Sequence, residues 1–147
     1  MSDFSQLCPL FSTGVYNEIS FDDIALSGLS TTMNGLVGKV AKATQPGSFK
    51  FQRTVVVTAA YLRKTDAAGT KTTVKLTRHA ATGTAAGTVF ASLAITITTT
   101  KNPLNRWKKM TLATAKTFLA ADVLGVATGA KMTDGGKAAV IIRYREK

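Results

Sequence analysis

Residues 53–64, RTVVVTAAYLRK, decide the fold of this chain. β-Branched and aromatic residues dominate this stretch, charged residues bound it, and neither Gly nor Pro interrupts it. Three consecutive valines between threonines would lose rotamer freedom in a helix, so an extended strand is favoured. Val55, Val57 and Tyr61 fall on one side of such a strand, and the residues between them are hardly more polar. The stretch therefore predicts a central strand that is covered on both faces.

The length and composition of the chain predict one domain with a substantial core. The chain has 147 residues, of which 45% are hydrophobic and 18% charged, enough to bury a core without metal ions or disulfides. Cys8 is the single cysteine, so no disulfide forms within the chain. The start, MSDFSQLCPL, is unlike a signal peptide, and no stretch approaches the ~18 apolar residues of a membrane helix. We therefore expect a soluble protein, made in a cytoplasm and not associated with a membrane.

The net charge of +11 is distributed unevenly along the chain. Residues 1–38 contain four acids and no Lys or Arg, a net charge of −4. Residues 39–147 contain all 19 Lys and Arg and the other four acids, a net charge of +15. Such asymmetry indicates either an acidic segment that lies on a basic surface, or a basic body that meets nucleic acid or an acidic protein lattice. Solvated strand faces without a partner are the third reading.

Residues 1–34 differ from the rest and predict an extended N-terminal arm. They are interrupted by Pro9, Gly14 and Gly28, and their apolar residues recur without a sustained helical or alternating pattern. A free tail would be more polar, so we expect the arm to lie against a surface, with one short strand at residues 15–21. That surface belongs either to its own domain or to a neighbouring subunit. The expected contact residues of the arm are Phe4, Leu7, Phe11, Tyr16 and Phe21.

Residues 35–147 show the pattern of β-strands joined by turns. Apolar stretches recur at spacings of roughly 8–15 residues, with turn signals between them and no convincing helix. Val74 and Leu76 are expected to point inward in one strand, Val89 and Ala91 in the next, and Met110 and Leu112 in a third. We assign these residues to a single antiparallel β-sandwich or jelly roll of about eight strands, an all-β fold. Together with the short strand at residues 15–21, the expected strands cover residues 35–43, 49–64, 71–78, 89–98, 107–114, 118–127 and 137–145.

Reactive side chains are too few and too scattered for an enzyme. His79 and Cys8 are the only residues of their types and lie on different parts of the predicted fold, so a catalytic pair would be a coincidence. His79 is expected to be an exposed strand-end residue. No CxxC, HxxxH or calcium-loop spacing occurs, and we expect no metal ion, no cofactor and no catalysis. Asp122 is expected to accept a hydrogen bond from the backbone of a bend between strands.

Cations around the single tryptophan, and outward positions on other strands, predict a basic surface. Residues 105–109, NRWKK, place three cations beside Trp107, which could stack a base while the cations hold phosphates. Because alternate residues of a strand share a face, Trp107 lies with Lys109 while Lys108 points away. Such a surface suits phosphates or an acidic capsid exterior. The predicted basic surface comprises Lys71, Lys75, Arg106, Lys108, Arg143 and Arg145.

Several stretches resemble small virion proteins of tailed bacteriophages. They are TVVVTAAYLRK (residues 54–64), FASLAITIT (90–98), AKTFLAADVLGVATG (115–129) and GKAAVIIRYRE (136–146), together with the apolar, acid-bearing arm. The phrase FLAADVLGVAT is similar to the aromatic–x–x–Gly–Asp–x–Leu bend that recurs in such β-sandwich proteins. Ala121 stands here where Gly is usual.

This resemblance implies a capsid decoration (cement) protein, which stabilises the head lattice of a phage through protein–protein contacts. Such proteins use β-sandwich or jelly-roll folds, are often trimeric, and hold neighbours through N-terminal arms. The implied partners are the major capsid protein or other virion proteins and further copies of the chain, in a homo-oligomer that we expect to be a trimer. The implied location is the capsid surface of the virion, after synthesis in the host cytoplasm.

Two other functions remain open from the sequence. A head–tail joining or tail structural protein would share the fold and the arm, and would form rings of fixed copy number. A basic β-barrel nucleic-acid-binding protein would use the positively charged body, and its affinity would fall steeply with salt concentration.

Overall fold

The chain folds as an antiparallel β-sandwich, which confirms the predicted all-β class. The structure, a computed structural model, describes residues 17–25, 34–37, 39–42, 49–65, 72–80, 87–95, 105–129 and 137–147. These residues form eleven strands and no helix, and the strands lie in two antiparallel sheets packed together. No helix within them is long and apolar enough to cross a bilayer.

The first sheet contains five of the strands in the described residues. These are β1 (Asn17–Ala25), β4 (Val55–Lys64), β7 (Trp107–Lys109), β9 (Thr117–Phe118) and β11 (Lys137–Glu146). Their order is β1–β11–β4–β7, and β9 also pairs with β4. The stretch that decides the fold is therefore a central strand, as predicted.

The second sheet contains six strands in the part of the chain that the structure describes. These are β2 (Asn34–Val37), β3 (Lys39–Lys42), β5 (Thr72–His79), β6 (Thr88–Ile95), β8 (Thr111–Leu112) and β10 (Val123–Thr128). Their order is β3–β2–β10–β5–β6–β8. The strand count exceeds the expected eight because several predicted strands are divided into short segments.

A β-bulge changes the alternation of β4 at Thr58. Ala59 pairs with Arg143, but the next residue of β11, Tyr144, pairs with Val57, so Thr58 is the extra residue. The Thr58 hydroxyl donates a hydrogen bond to the Arg143 carbonyl oxygen over 3.2 Å. Because a bulge shifts the side-chain phase by one residue, the residues that follow Thr58 face the side opposite to that predicted.

The two faces of β4 are covered to different extents. Val57 before the bulge and Ala60 and Leu62 after it are all buried against the core. On the outer face, Thr58 is exposed and Tyr61 is half-buried. The prediction that both faces are covered was therefore wrong for the outer face. The bulge turns Tyr61 onto this face, where it is only half-buried.

A second bulge places an aromatic ring between the sheets. Leu76 pairs with Ala91, but Thr77 pairs with Val89, so Phe90 is the extra residue of β6. Phe90 is fully buried. The prediction that Ala91 points inward is confirmed. Val89 was also expected to point inward, but it is half-buried opposite Thr77, because the bulge changes the phase between them.

The strand predicted over residues 107–114 passes from one sheet to the other. β7 belongs to the first sheet and β8 to the second, and Met110 lies between them. The Met110 amide donates to the Ala60 carbonyl over 2.8 Å, and the Ala113 amide donates to the Phe90 carbonyl over 2.8 Å. Met110 is buried and Leu112 is half-buried, as predicted.

A chain of aromatic rings runs through the core from one sheet to the other. Ring centroids lie 5.6 Å apart for Phe21 and Phe49, and 5.0 Å apart for Phe49 and Phe51. Phe118 of the first sheet contacts Phe51 over 5.0 Å and Phe90 of the second sheet over 5.0 Å. All four pairs have the edge-to-face geometry that aromatic rings prefer, which adds to the stabilisation from burying their area.

The second half of the predicted arm includes an edge strand of the sandwich. β1 pairs with β11, beginning with Asn17 opposite Tyr144. Phe21 and Ile24 of this strand are buried. Phe21 thus packs in the core of its own chain and is not an exposed partner contact. The sandwich also includes β1, which lies before the predicted domain start at residue 35. The other expected arm contacts, Phe4, Leu7, Phe11 and Tyr16, lie outside the described residues.

Candidate functional site

The outer face of the first sheet carries a group of cations and aromatic rings that we call the basic face. The edge strand β7 pairs with β4 so that Trp107 lies opposite Arg63 and Lys109 lies opposite Tyr61. Directly paired residues project from the same side of a sheet, so Trp107 and Lys109 share one face, as predicted. The basic face comprises Tyr61, Arg63, Trp107, Lys109, Arg143 and Arg145.

The Arg63 guanidinium lies over the Trp107 ring. The Arg63 Cζ atom is 4.8 Å from the centroid of the indole, within the range of a cation–π interaction. Arg63 is half-buried, and its Nε has no hydrogen-bond partner among the described residues. Trp107 is 38% exposed. The pair therefore holds a cation and an aromatic surface in fixed relation at the edge of the sheet.

A similar arrangement occurs at the neighbouring ring of Tyr61. The Arg143 Cζ atom lies 5.2 Å from the Tyr61 centroid, and Arg143 Nε donates to Glu18 Oε2 over 2.8 Å. Glu18 belongs to the acidic N-terminal part of the chain and lies opposite Arg143 in the ladder between β1 and β11. At this point an acidic strand lies on the basic body of its own chain, one of the two arrangements that the charge asymmetry indicated.

Aliphatic residues form the floor between these charged side chains. Ile141 lies opposite Tyr61, and Ala139 lies opposite Arg63. Ile141 is half-buried and Ala139 is fully buried. The basic face thus combines an apolar floor with arginines and aromatic rings, the residue types that are enriched where proteins bind other proteins.

Two of the predicted basic residues, Arg143 and Arg145, belong to this face. Arg143 lies opposite Ala59 and Arg145 opposite Val56, so both arginines point outward from the first sheet. Arg106 and Lys108 are exposed at the edge formed by β7. Lys108 lies opposite the buried Leu62, so it projects from the side opposite to the basic face.

The remaining predicted basic residues do not join this group. Lys75 lies on β5, opposite Ser92 on one side and Ala127 on the other. It therefore projects from the outer face of the second sheet. Lys71 lies outside the described residues. The cations of this chain thus do not converge on one surface.

Two residues of the basic face, Tyr61 and Arg63, were not predicted from the sequence. Simple alternation placed Tyr61 with Val55 and Val57, both of which are buried. The bulge at Thr58 reverses that order. Its position depends on the register against β11, and nothing in residues 53–64 alone indicates it.

His79 is buried, so the prediction of an exposed strand-end residue was wrong. Its Nε2 lies 3.0 Å from the Thr77 hydroxyl. A Cβ atom added to Gly87 would lie 2.0 Å from His79 Nε2, which means that the imidazole packs directly on the Gly87 backbone. His79 can be buried because Gly87 has no side chain in the space that the imidazole occupies. The burial of His79 indicates a packing role.

Asp122 stabilises the bend before β10, as predicted. Its Oδ2 accepts a hydrogen bond from the Leu119 amide over 2.8 Å, and Oδ2 lies 4.0 Å from Arg78 Nε. Arg78 Nη1 also donates to the Thr117 carbonyl over 2.6 Å, which links β5 of the second sheet to β9 of the first. Ala121, beside this carboxylate, has a φ of 70°, the left-handed conformation that glycine adopts without steric cost.

No group of three or more His, Cys, Asp or Glu residues that could hold a metal ion occurs in the described residues. By its fold and this surface, the chain is a β-sandwich protein with one basic, aromatic sheet face. No protein-family model matches the chain, and no curated protein matches it significantly.

Proposed function

We propose that this protein is a non-enzymatic structural protein of a virus particle, a capsid decoration protein that binds the head lattice through its basic face and its N-terminal arm. The observation that carries the proposal is the basic face, where Arg63 and Arg143 are each held over an aromatic ring. The resemblance of four strand segments to phage virion proteins gives the biological setting.

The geometry of the basic face favours recognition of an acidic protein surface. Side chains that are already held in place lose less conformational entropy when a partner binds. Arg and Trp are also the residue types most often responsible for binding energy at protein interfaces. Positive charge on a flat sheet face raises the rate of encounter with a negatively charged lattice and selects against basic partners. The expected partners are the major capsid protein or other virion proteins.

The arm is the second expected contact, and it would act together with the face. A chain that engages a lattice at two places binds more tightly than through either contact alone, because the second contact forms at a high effective concentration. The same reasoning applies to neighbouring copies in a homo-oligomer, for which we expect a trimer. Among the expected arm contacts, Phe4 and Leu7 are the farthest from β1 in the sequence, which favours them for reaching a neighbour.

The test is binding to capsids that lack decoration, prepared from the virus that encodes this chain. We expect Lys109→Glu and Trp107→Ala to weaken co-sedimentation with these capsids about tenfold or more, because both residues are exposed on the basic face. Lys75→Glu is the matched control, since it makes the same charge change on the second sheet. If Lys75→Glu and Lys109→Glu weakened capsid binding equally, general charge and not this face would be responsible.

Nucleic-acid binding is a second candidate function, and the exposed Trp107 beside Arg63 and Lys109 favours it. The same variants are therefore tested with duplex and single-stranded DNA over a range of salt concentrations. DNA affinity that falls steeply with salt and is lost in Trp107→Ala, with no capsid binding, would support this function over the decoration role.

A further inference from the structure

An aromatic cleft lies at the end of the sandwich where β1 begins. Its volume is about 370 Å³, within the range of roughly 300–1,000 Å³ that binding pockets occupy. Phe51 and Val55 at its base are buried, whereas Phe49 and Tyr144 are only partly buried. Its residues include Phe49, Phe51, Val55, Tyr144, Arg53 and Glu146.

The cleft is a fixed part of the core and not a gap between loose side chains. The Phe51 ring contacts both Phe49 and Tyr144, with centroids 5.0 Å apart in each pair. At the rim, Arg53 Nη1 lies 3.2 Å from Glu146 Oε2, and both side chains are largely exposed. An apolar floor with a polar rim is the usual construction of a site that receives an apolar segment.

The start of β1 lies directly beside this cleft. Asn17 is paired with Tyr144, and the Phe21 ring, four positions later on β1, contacts Phe49 over 5.6 Å. The start of β1 therefore lies beside Tyr144 of the cleft, and Phe21 holds the same strand against Phe49. Each residue of extended chain spans about 3.3 Å, so only a few residues are needed to cross the cleft.

The sequence before Asn17 has the composition that the cleft requires. Residues 10–16, LFSTGVY, contain four large apolar side chains and no charge. Gly14 in their middle permits a reversal of the chain direction, because it accepts positive φ without steric cost. An apolar segment with a turn residue, which emerges at the rim of an aromatic cleft, can fold back over it.

We propose that the aromatic cleft is the docking site for residues 10–16 of the same chain. Leu10, Phe11, Val15 and Tyr16 supply the apolar side chains. The docked segment anchors the base of the arm, and residues 1–9, with Phe4 and Leu7, project beyond it. This docking concerns only the base of the arm and requires no partner in a virion. Its test measures the stability of the chain and not capsid binding, so it can fail or succeed independently of the proposed function.

The test is a double-mutant cycle on the full chain that combines Phe11→Ala in the segment with Phe49→Ala in the cleft. Urea unfolding measures the stability of each variant. We expect Phe11→Ala to lower the folded-to-unfolded ratio about tenfold in the parent and hardly at all when Phe49 is already Ala. Leu119→Ala is the matched control, since Leu119 is 58% exposed and is not a cleft residue. Phe11→Ala should have its full effect in the Leu119→Ala background.

Two deletions keep the proposal testable if Phe49→Ala alone impairs folding. Removal of residues 1–9 should leave the unfolding midpoint unchanged, whereas removal of residues 1–16 should lower it and allow an apolar dye to bind. Absence of coupling between Phe11 and Phe49, or equal midpoints for the two deletions, would overturn the proposal. Coupling that disappears on dilution would also overturn it, because it would assign the cleft to the arm of a neighbouring copy.

Discussion

The central strands of the two sheets differ in how their outer faces are covered. In β4, the outer face carries the exposed Thr58 and the half-buried Tyr61. In β10, all six residues are buried, including Gly125 and Ala127 on the outer side. The sequence predicted a doubly covered strand at β4, yet β10 is the strand that has this property.

The difference follows from the size of the side chains and of their neighbours. On β10, Gly125 lies opposite Thr77 and Ala127 lies opposite Lys75, so small residues are shielded by larger ones in the adjacent strand. On β4, the large Tyr61 ring projects from the outer face and stays half-buried, with the Arg143 Cζ atom 5.2 Å from its centroid. Burial of an outer face thus does not require a more hydrophobic strand. Small residues of β10 lie beside larger ones on the β5 side, and Gly125 lies opposite Gly35 on the β2 side.

The sharpest test of this comparison introduces the same charge on both outer faces. Ala127→Asp should lower the free energy of unfolding by about 3 kcal/mol, because a short carboxylate at a buried site cannot reach water. Thr58→Asp should lower it by only about 1 kcal/mol, because Thr58 is exposed and the substitution removes one exposed hydrogen bond to the Arg143 carbonyl. Urea denaturation at neutral pH measures both. Equal losses would mean that the outer face of β10 is as open as that of β4.

A second test concerns His79, the buried residue opposite Val123 of β10. Gly87→Ala should destabilise the fold by about 1–3 kcal/mol, because the new methyl group must displace the imidazole that lies on Gly87. In a His79→Ala background the same substitution should cost little, since the ring is no longer there. A double-mutant cycle by chemical denaturation measures this coupling. Additive losses would show that the ring does not determine the need for glycine.

The smallest expected effect concerns the turns that precede β10 and β7. Ala121 before β10 has a φ of 70°, and Asn105 before β7 has a φ of 61°. Ala121→Gly should raise the free energy of unfolding by about 1 kcal/mol, because alanine is strained in this conformation. Asn105→Gly should change it by less than ~0.5 kcal/mol, because Asn tolerates left-handed backbone.

Thermal and urea unfolding of the two glycine variants provide the comparison. The Ala121 amide donates to the Phe51 carbonyl over 2.7 Å, a backbone contact that glycine retains. A gain at both positions would indicate that the type of residue does not matter in these turns, whereas a loss at position 121 would contradict the strain argument.

Alternation of apolar residues was sufficient to predict the strands and the fold class. It failed where the register of distant strands controls the phase, as at Thr58 and Phe90. β1 was predicted to end at Phe21, but a register shift between Phe21 and Ile24 accommodates two acidic residues and lets the strand continue. Bulges of this kind depend on the partner strand, so the local sequence gives no sign of them.

The basic face was only partly predictable for the same reason. Alternation within a strand predicts that Trp107 shares a face with Lys109, and Arg143 with Arg145. The structure places all four on the basic face. Their association with Arg63 depends on the bulge in β4. The burial of His79 depends on Gly87, eight positions later in the chain, and a glycine has no side chain from which this contact could be predicted.

The passage of the chain between the sheets at Met110 also has a mechanical consequence. The backbone amide of Met110 is bonded to β4, and that of Ala113 to β6, so one short segment is fastened to both layers. Neither layer can slide or peel away without breaking these bonds and exposing the buried Met110 to water. A force applied to one sheet is therefore transmitted to the other through the backbone, and the two sheets are expected to unfold together.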